Sequence, residues 1–89
     1  MLKVKIDEQK MSNYLLKSAH IEFHYGYDPN ADEFWYEVYD VTRKHINGGL
    51  IEKMGTRLNN LPMLVLAEKL KQFKAPTIHI QKVLLNRII

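Results

Sequence analysis

Residues 20–42 constrain the fold more than any other stretch of this chain. They read HIEFHYGYDPNADEFWYEVYDVT and contain seven of the nine aromatic residues, six of the ten acidic residues and no lysine or arginine. From His20 to Tyr27 polar and apolar positions alternate, which is the period of a strand with one buried face. The DPNAD sequence that follows is typical of a turn, and Glu33 to Thr42 is rich in aromatic and β-branched residues. The sequence therefore predicts a β-hairpin.

A helix is the alternative for the second half of this stretch. Asp28 is a good N-cap and Pro29 suits the first helical position, after which Phe34, Val38 and Val41 would share one helical face. We prefer the strand, because strand-forming residues dominate locally and an alternating partner strand precedes them.

The remaining segments give shorter signals. Residues 2–6 alternate and predict a strand, and residues 8–18 carry apolar residues at helical spacing and predict an amphipathic helix. Asn47-Gly48 is a strong signal for a two-residue hairpin turn, which predicts a third strand over residues 49–55. Residues 61–74 predict the main helix, which Pro76 ends. Residues 77–89 are ambiguous: alternation favours a strand over 77–82 that pairs with 2–6, and a helix remains the alternative.

These elements predict one small α+β domain over residues 1–89. Its sheet is a three-stranded antiparallel meander, which terminal strands can extend, packed on the one main helix. The chain has no cysteine, its first residues lack the apolar core of a signal peptide, and it has no run of about 18 apolar residues. We therefore expect a cytoplasmic protein without a membrane segment.

The two halves of the chain differ in charge. The formal net charge is +3, but residues 1–40 carry four basic and eight acidic residues, whereas residues 41–89 carry nine basic and two acidic residues. Each half can attract a different partner, or the halves of two copies can attract each other. Self-association therefore stays open.

The outer face of the predicted hairpin holds the candidate functional residues. Burying Phe34, Tyr36 and Val38 is preferred, because the opposite choice would bury Glu37 without a defined partner. Trp35 and Tyr39 then point outward, and exposed aromatic residues are enriched in protein interfaces. This face predicts a docking surface for a basic or polar protein partner, unless another element covers it. The predicted partner-binding residues are Glu22, His24, Trp35, Glu37 and Tyr39.

Signals for catalysis or metal binding are weak. His20, Glu22 and His24 alternate along a strand, which places the two histidines about 13 Å apart, too far for one zinc ion. No nucleophile motif surrounds Ser12, and no glycine-rich phosphate loop is present. We therefore predict a protein that is not an enzyme and that needs no metal or cofactor.

Nucleic-acid binding is the alternative function. If the tail is helical, residues 61–74 and 77–88 form two helices joined by a short turn, loosely like a helix-turn-helix. The basic C-terminal segment would supply the contacts to phosphate groups. The residues predicted for this alternative are Lys69, Lys71, Lys74, Lys82 and Arg87.

Overall fold

The computed structural model describes residues 12–55 and 61–89 of the chain. The predicted strand over 2–6 and the first part of the predicted helix over 8–18 lie outside these residues. The described part contains a four-stranded antiparallel sheet followed by two helices, which confirms the α+β class. The elements are β1 (Tyr14–Ser18), β2 (Ile21–Asp28), β3 (Glu33–Asp40), β4 (Leu50–Gly55), α1 (Met63–Gln72) and α2 (Thr77–Leu84).

The predicted hairpin is confirmed as β2 and β3. The two strands pair antiparallel along their full lengths, from Ile21 opposite Asp40 to Asp28 opposite Glu33. At the turn, a side-chain oxygen of Asp28 accepts a hydrogen bond from the backbone N–H of Asn30 at 2.9 Å. Such local side-chain bonds are the reason that aspartate favours turns.

Strand β1 corrects the prediction of a helix that reaches residue 18. Residues 14–18 pair antiparallel with β2, with Tyr14 opposite Tyr25 and Ser18 opposite Ile21. Tyr14 and Leu16 are half-buried against the core, whereas Leu15 is 46% exposed. This alternation has the period of a strand, and pairing with β2 satisfies backbone groups that an isolated short helix would leave to water.

The connection from β3 to β4 is longer than the sequence predicts. Asn47 and Gly48 do form a tight turn, with φ values of 53° and 66°, and the Gly49 N–H donates to the Ile46 carbonyl at 2.9 Å. A 3-10 turn over Val41–Arg43 precedes it, so residues 41–49 separate the two strands. The third strand of the meander is therefore confirmed, and the two-residue hairpin loop is wrong.

The tail forms helix α2, so the predicted strand over 77–82 is wrong. Ile78 and Ile80 alternate in sequence, but Ile78 is 53% exposed while Ile80 packs against the core. His79, Ile80 and Val83 share one helical face, because residues three and four positions apart are neighbours on a helix. Helix α1 lies within the predicted main helix. Because α2 is a second helix, the sheet packs on two helices rather than on one.

The core lies between one face of the sheet and the two helices. Its fully buried side chains are Phe23, Tyr25, Tyr36, Leu66, Leu70 and Val83. Phe73, which follows α1, stacks on Phe23 with the ring centroids 4.6 Å apart. The inner row of the hairpin, Phe23, Tyr25, Phe34, Tyr36 and Val38, is buried as the sequence predicts. Neither helix is long and apolar enough to cross a membrane.

Candidate functional site

The candidate site is the face of the sheet opposite the helices, which we call the outer face. The strand register places Glu22 opposite Tyr39, His24 opposite Glu37 and Gly26 opposite Trp35. The structure therefore brings all five predicted partner-binding residues onto one face. Lys17 lies opposite Glu22 from β1, and Lys53 lies opposite Glu37 from β4. The outer face consists of Leu15, Lys17, Glu22, His24, Trp35, Glu37, Tyr39 and Lys53.

Short-range polar contacts orient the side chains at the centre of the outer face. The Tyr39 hydroxyl donates to Glu37 Oε1 at 2.8 Å, and Lys53 Nζ lies 3.8 Å from Glu37 Oε2. His24 Nε2 lies 3.5 Å from Glu22 Oε1, and the His24 and Tyr39 rings meet edge to face at 5.2 Å. The hydrogen bond to Glu37, followed by partial burial, raises the pKa of Tyr39. These contacts give the side chains of the row one defined arrangement in the structure.

Lysines flank the acidic centre of the outer face. The side chains of Glu22 and Glu37 are 28% and 26% exposed, so both carboxylates remain accessible to a partner. Lys17 and Lys53 stand on the strands at either side. The helix predicted over residues 8–18 does not place Lys17 on this face. Residues 14–18 fit both the helical and the strand period, so no sequence signal assigns Lys17 to the sheet.

Trp35 corrects the expectation of an exposed indole. It is 5% exposed, and both of its cross-strand neighbours, Gly26 and Gly55, lack a side chain. Backbone also approaches closely here: a Cβ added at Gly55 would lie 2.5 Å from the Phe34 carbonyl oxygen and 2.7 Å from Trp35 Cα. The Trp35 Nε1 donor is buried and has no acceptor within residues 12–55 and 61–89. Trp35 thus contributes to packing, and Tyr39 is the accessible aromatic residue of the pair.

The five basic residues of the alternative site lie on or after α1, in three different settings. Lys69 Nζ donates to Glu52 Oε1 on β4 at 2.8 Å, and the Tyr36 hydroxyl donates to the same carboxylate. Burial by itself raises the pKa of Glu52, but these two hydrogen bonds outweigh it and the pKa is lowered. Lys71 Nζ lies 3.6 Å from Glu68 Oε2 on the exposed side of α1. In the described part of the chain, no carboxylate pairs with the other three, which are Lys74, Lys82 and Arg87.

A second polar cluster ties α2 to the inner face of the sheet. Tyr25 Oη and His79 Nδ1 are 2.7 Å apart, and the Tyr14 ring lies 4.4 Å from the His79 ring. Burial, followed by the nearby positive charge of Lys82, lowers the pKa of His79. Burial, followed by Tyr14, raises the pKa of Tyr25 to about 12. A neutral His79 and the Tyr25 hydroxyl therefore share one hydrogen bond, and the tautomer of His79 decides which of the two donates.

Ser12 and the acidic residues do not assemble into a reactive group in the part of the chain that the structure describes. The Tyr27 N–H donates to Ser12 Oγ at 2.8 Å, which ties this hydroxyl to the backbone of β2. Among the same residues, no three histidine, aspartate or glutamate side chains converge as ligands of one metal ion.

Comparison of the chain with protein-family models, curated proteins and solved structures found no match. The fold defines a small α+β protein with an open antiparallel sheet and a helix packed against it. Its function is therefore argued from the geometry of its surfaces.

Proposed function

We propose that this protein is a small, non-enzymatic protein-binding module that docks a partner protein on the outer face of its sheet. The observation that carries the proposal is the arrangement of Glu22, His24, Glu37 and Tyr39 as one oriented, partly exposed row. Both helices pack on the opposite face, so neither covers this row. A protein of this kind acts as an inhibitor, an adaptor or an assembly subunit. The lack of cysteine supports a location in the cytoplasm.

The chemistry of the row indicates a basic or polar partner. Two carboxylates stand one on each central strand, where arginine or lysine side chains of a partner can form charge-assisted hydrogen bonds with them. Tyr39 offers an aromatic surface beside them, and tyrosine is enriched among residues that contribute most to binding. Because contacts within the row already hold these side chains, binding costs less side-chain entropy than at a mobile surface.

Affinity capture from the source cell tests this proposal, with a charge reversal as the comparison. We expect the wild-type protein to retain a partner that Glu37→Lys loses, because the reversal places a positive charge where a basic partner docks. Glu68→Lys is the matched control: it makes the same change on α1, where the Glu68 side chain is 76% exposed. A partner lost equally in both variants, or retained in both while both remain folded, would contradict docking on the outer face.

Nucleic-acid binding is a second candidate function, and the conformation of the tail favours it. Residues 77–84 are helical and follow α1 after the four residues 73–76, which is the order of a helix-turn-helix. Residues 61–89 carry five basic residues and one acidic residue. Exposed aliphatic residues on and after α2, such as Ile78 and Leu85, are poorly suited to reading base edges. The proposal therefore remains second to protein binding.

An electrophoretic mobility shift at low salt separates the two candidates. Nucleic-acid binding predicts a shift of duplex DNA that weakens steeply as salt is raised. It also predicts weaker binding by Lys74→Gln, Lys82→Gln and Arg87→Gln, whose side chains are the predicted phosphate contacts. No shift at low salt, or a shift that these three substitutions leave unchanged, would exclude this candidate.

A further inference from the structure

Strand β1 forms one edge of the sheet. Within residues 12–55 and 61–89 it pairs with β2 alone, and the register runs without a shift from Tyr14 to Ser18. The Ser12 N–H donates to the Tyr27 carbonyl at 3.0 Å, so the chain enters β1 on the side of β2. The other side of an edge strand presents N–H and C=O groups that can pair with an added strand. We call this other side of β1 the open side.

The residues of β1 favour pairing more than those of β4, the strand at the opposite end of the sheet. β4 carries Glu52 and Lys53 in succession, and its register with β3 shifts between Val38 and Tyr39. Charged residues and bulges are features that keep edge strands from pairing. The sequence of β1 is YLLKS, in which Lys17 is the one charged residue and neither glycine nor proline occurs. β1 is therefore regular and largely apolar.

The turn between β1 and β2 determines which backbone groups face the open side. Residues 19–20 form a two-residue turn, so Ser18 is in the closing pair and exchanges hydrogen bonds with β2. Hydrogen-bonded positions alternate along an antiparallel ladder, so the backbone groups of Leu16 also face β2. The N–H and C=O groups of Leu15 and Lys17 therefore face the open side.

We infer that two copies of this protein pair antiparallel through the open sides of their β1 strands and join their two four-stranded sheets into one. The register that pairs all five residues of β1 is centred on Leu16, which lies opposite Leu16 of the second copy. Leu15 then lies opposite Lys17, and Tyr14 lies opposite Ser18. Because the backbone groups of Leu15 and Lys17 face outward, these two residues exchange both hydrogen bonds of a pair.

The side chains of β1 fit this register. On the inner face the half-buried Leu16 side chains of the two copies meet at the two-fold axis, where pairing removes further apolar surface from water. On the outer face each Lys17 lies opposite Leu15. A shift of two residues in one direction would place Lys17 opposite Lys17, and like charges directly opposite each other are destabilising. The opposite shift would pair only residues 14–16 of β1 with each other. The strand is therefore complementary to itself in one register.

The paired sheets keep the same faces on the same sides. Residues that lie opposite each other in an antiparallel pair share one face of the sheet. The helices of both copies therefore lie on one side, and both outer faces lie on the other. The contact contains no ion pair, so screening by salt does not weaken it. The inference goes beyond the proposed docking function, because its partner is a second copy and its surface is an edge.

Disulfide cross-linking of single-cysteine variants of the full chain tests the register. The wild-type chain has no cysteine, so a disulfide formed with oxidised glutathione can only join two copies. At the axis the two Cα atoms of residue 16 would be about 4.5 Å apart, and those of residue 15 about 7–8 Å. Disulfides join Cα atoms about 4.4–6.8 Å apart, so Leu16→Cys should cross-link about tenfold faster than Leu15→Cys.

The exposure of the two positions makes this comparison a matched one. Leu15 is 46% exposed, whereas Leu16 is half-buried against the core. Random collisions between copies would therefore cross-link Leu15→Cys faster, which is the opposite order. Equal rates, or faster cross-linking of Leu15→Cys, would overturn the inference.

Multi-angle light scattering at about 0.15 M salt tests the pairing itself. We expect the wild type to have twice the 10.5 kDa mass of one chain. Lys17→Pro should be a monomer, because proline removes an N–H on the open side and leaves the bonds to β2 in place. Lys17→Gln is the matched control, which keeps this N–H and should remain a dimer.

Circular dichroism establishes that both Lys17 variants are folded. A wild-type monomer, or a folded Lys17→Pro variant that remains a dimer, would overturn the inference. If Lys17→Pro does not fold, the order of the cross-linking rates decides. Because no captured partner enters these assays, their failure is separate from a failure of docking on the outer face.

Discussion

At the scale of single residues, Trp35 shows how a residue suited to binding becomes part of the packing. Its position on the outer face follows from the alternation of β3. It is nevertheless buried, with only 5% of its surface exposed. Sequence alternation assigns a residue to a face but does not say whether that face is covered, so the exposure of Trp35 could not be predicted.

Replacement of Trp35 should therefore change stability more than recognition. We expect Trp35→Ala to lower the free energy of unfolding by about 3–5 kcal/mol, the usual cost of removing a large buried aromatic side chain. Urea denaturation followed by far-UV circular dichroism measures this loss. A variant that unfolds at the same urea concentration as the wild type would show that the indole is not buried in solution.

Gly26 is required because another part of the backbone passes close to it. A Cβ at this position would lie 2.0 Å from the carbonyl oxygen of Ser12 and 2.7 Å from its carbonyl carbon. The clash is with backbone, so Gly26→Ala must displace β2 or the chain around Ser12. We expect a loss of about 1–3 kcal/mol, the range for overpacked sites. Equal unfolding free energies for Gly26→Ala and the wild type would contradict this close approach.

At the scale of elements, helix α2 is held to the sheet by a titratable contact. Because the pKa of His79 is lowered in the folded protein, the unfolded chain binds a proton more readily at this residue. The resulting stability is fully present above the unfolded pKa of about 6.5 and is lost as the pH falls through the lower folded pKa.

Denaturation at several pH values tests the role of this contact. We expect the wild-type unfolding free energy to fall between about pH 7 and pH 5, and His79→Gln to show a smaller fall over the same window. His45→Gln is the control, because His45 is an exposed residue of the connection between β3 and β4. If His79→Gln retains the full pH dependence, the lowered pKa of His79 is not its cause.

The elements also show how far the sequence could predict this fold. The hairpin and the main helix were recoverable, because Phe23 and Tyr25 alternate cleanly with polar residues and residues 61–74 carry apolar residues at helical spacing. The buried face of the helix was not, because Leu64 and Val65, which share that spacing, are exposed while Leu66 is buried. Strand β1 and helix α2 were not, because five to eight residues with few apolar positions fit both periods. Contacts with Tyr25 of β2 determine the conformation of β1 and α2. Tyr14 of β1 packs beside Tyr25, and His79 of α2 forms a hydrogen bond with the same tyrosine.

Prediction of the site was limited in the same way, because contacts between distant segments are not specified by one sequence. The position of the five predicted partner-binding residues on one face was recoverable, because the alternation of the hairpin and the avoided burial of Glu37 assign them to one side. The flanking Lys17 and the polar contacts between side chains depend on strand register, which a single sequence does not specify.

At the scale of the whole molecule, the two layers carry opposite charge. Residues 12–55, which form the sheet, contain four basic and seven acidic residues, whereas residues 61–89, which form the helices, contain five basic residues and one acidic residue. The sheet of one copy can therefore attract the helices of another. Such a contact is head to tail, because two different surfaces meet.

Sedimentation velocity across a salt series measures this attraction. We expect the average sedimentation coefficient to rise with protein concentration at about 0.01 M salt, where the Debye length is about 30 Å. The rise should disappear at about 0.15 M salt, where screening shortens that length to about 8 Å. A monomer at every concentration in low salt would show that the charge separation does not drive self-association.

The most direct test of protein binding is NMR cross-saturation of the labelled protein in complex with its captured partner. Docking on the outer face predicts that signals of Glu22, His24, Glu37 and Tyr39 lose intensity when the partner is irradiated. It also predicts that Lys74 and Arg87, on the helical side, keep theirs. Loss of intensity confined to residues 63–89 would contradict the proposed docking surface.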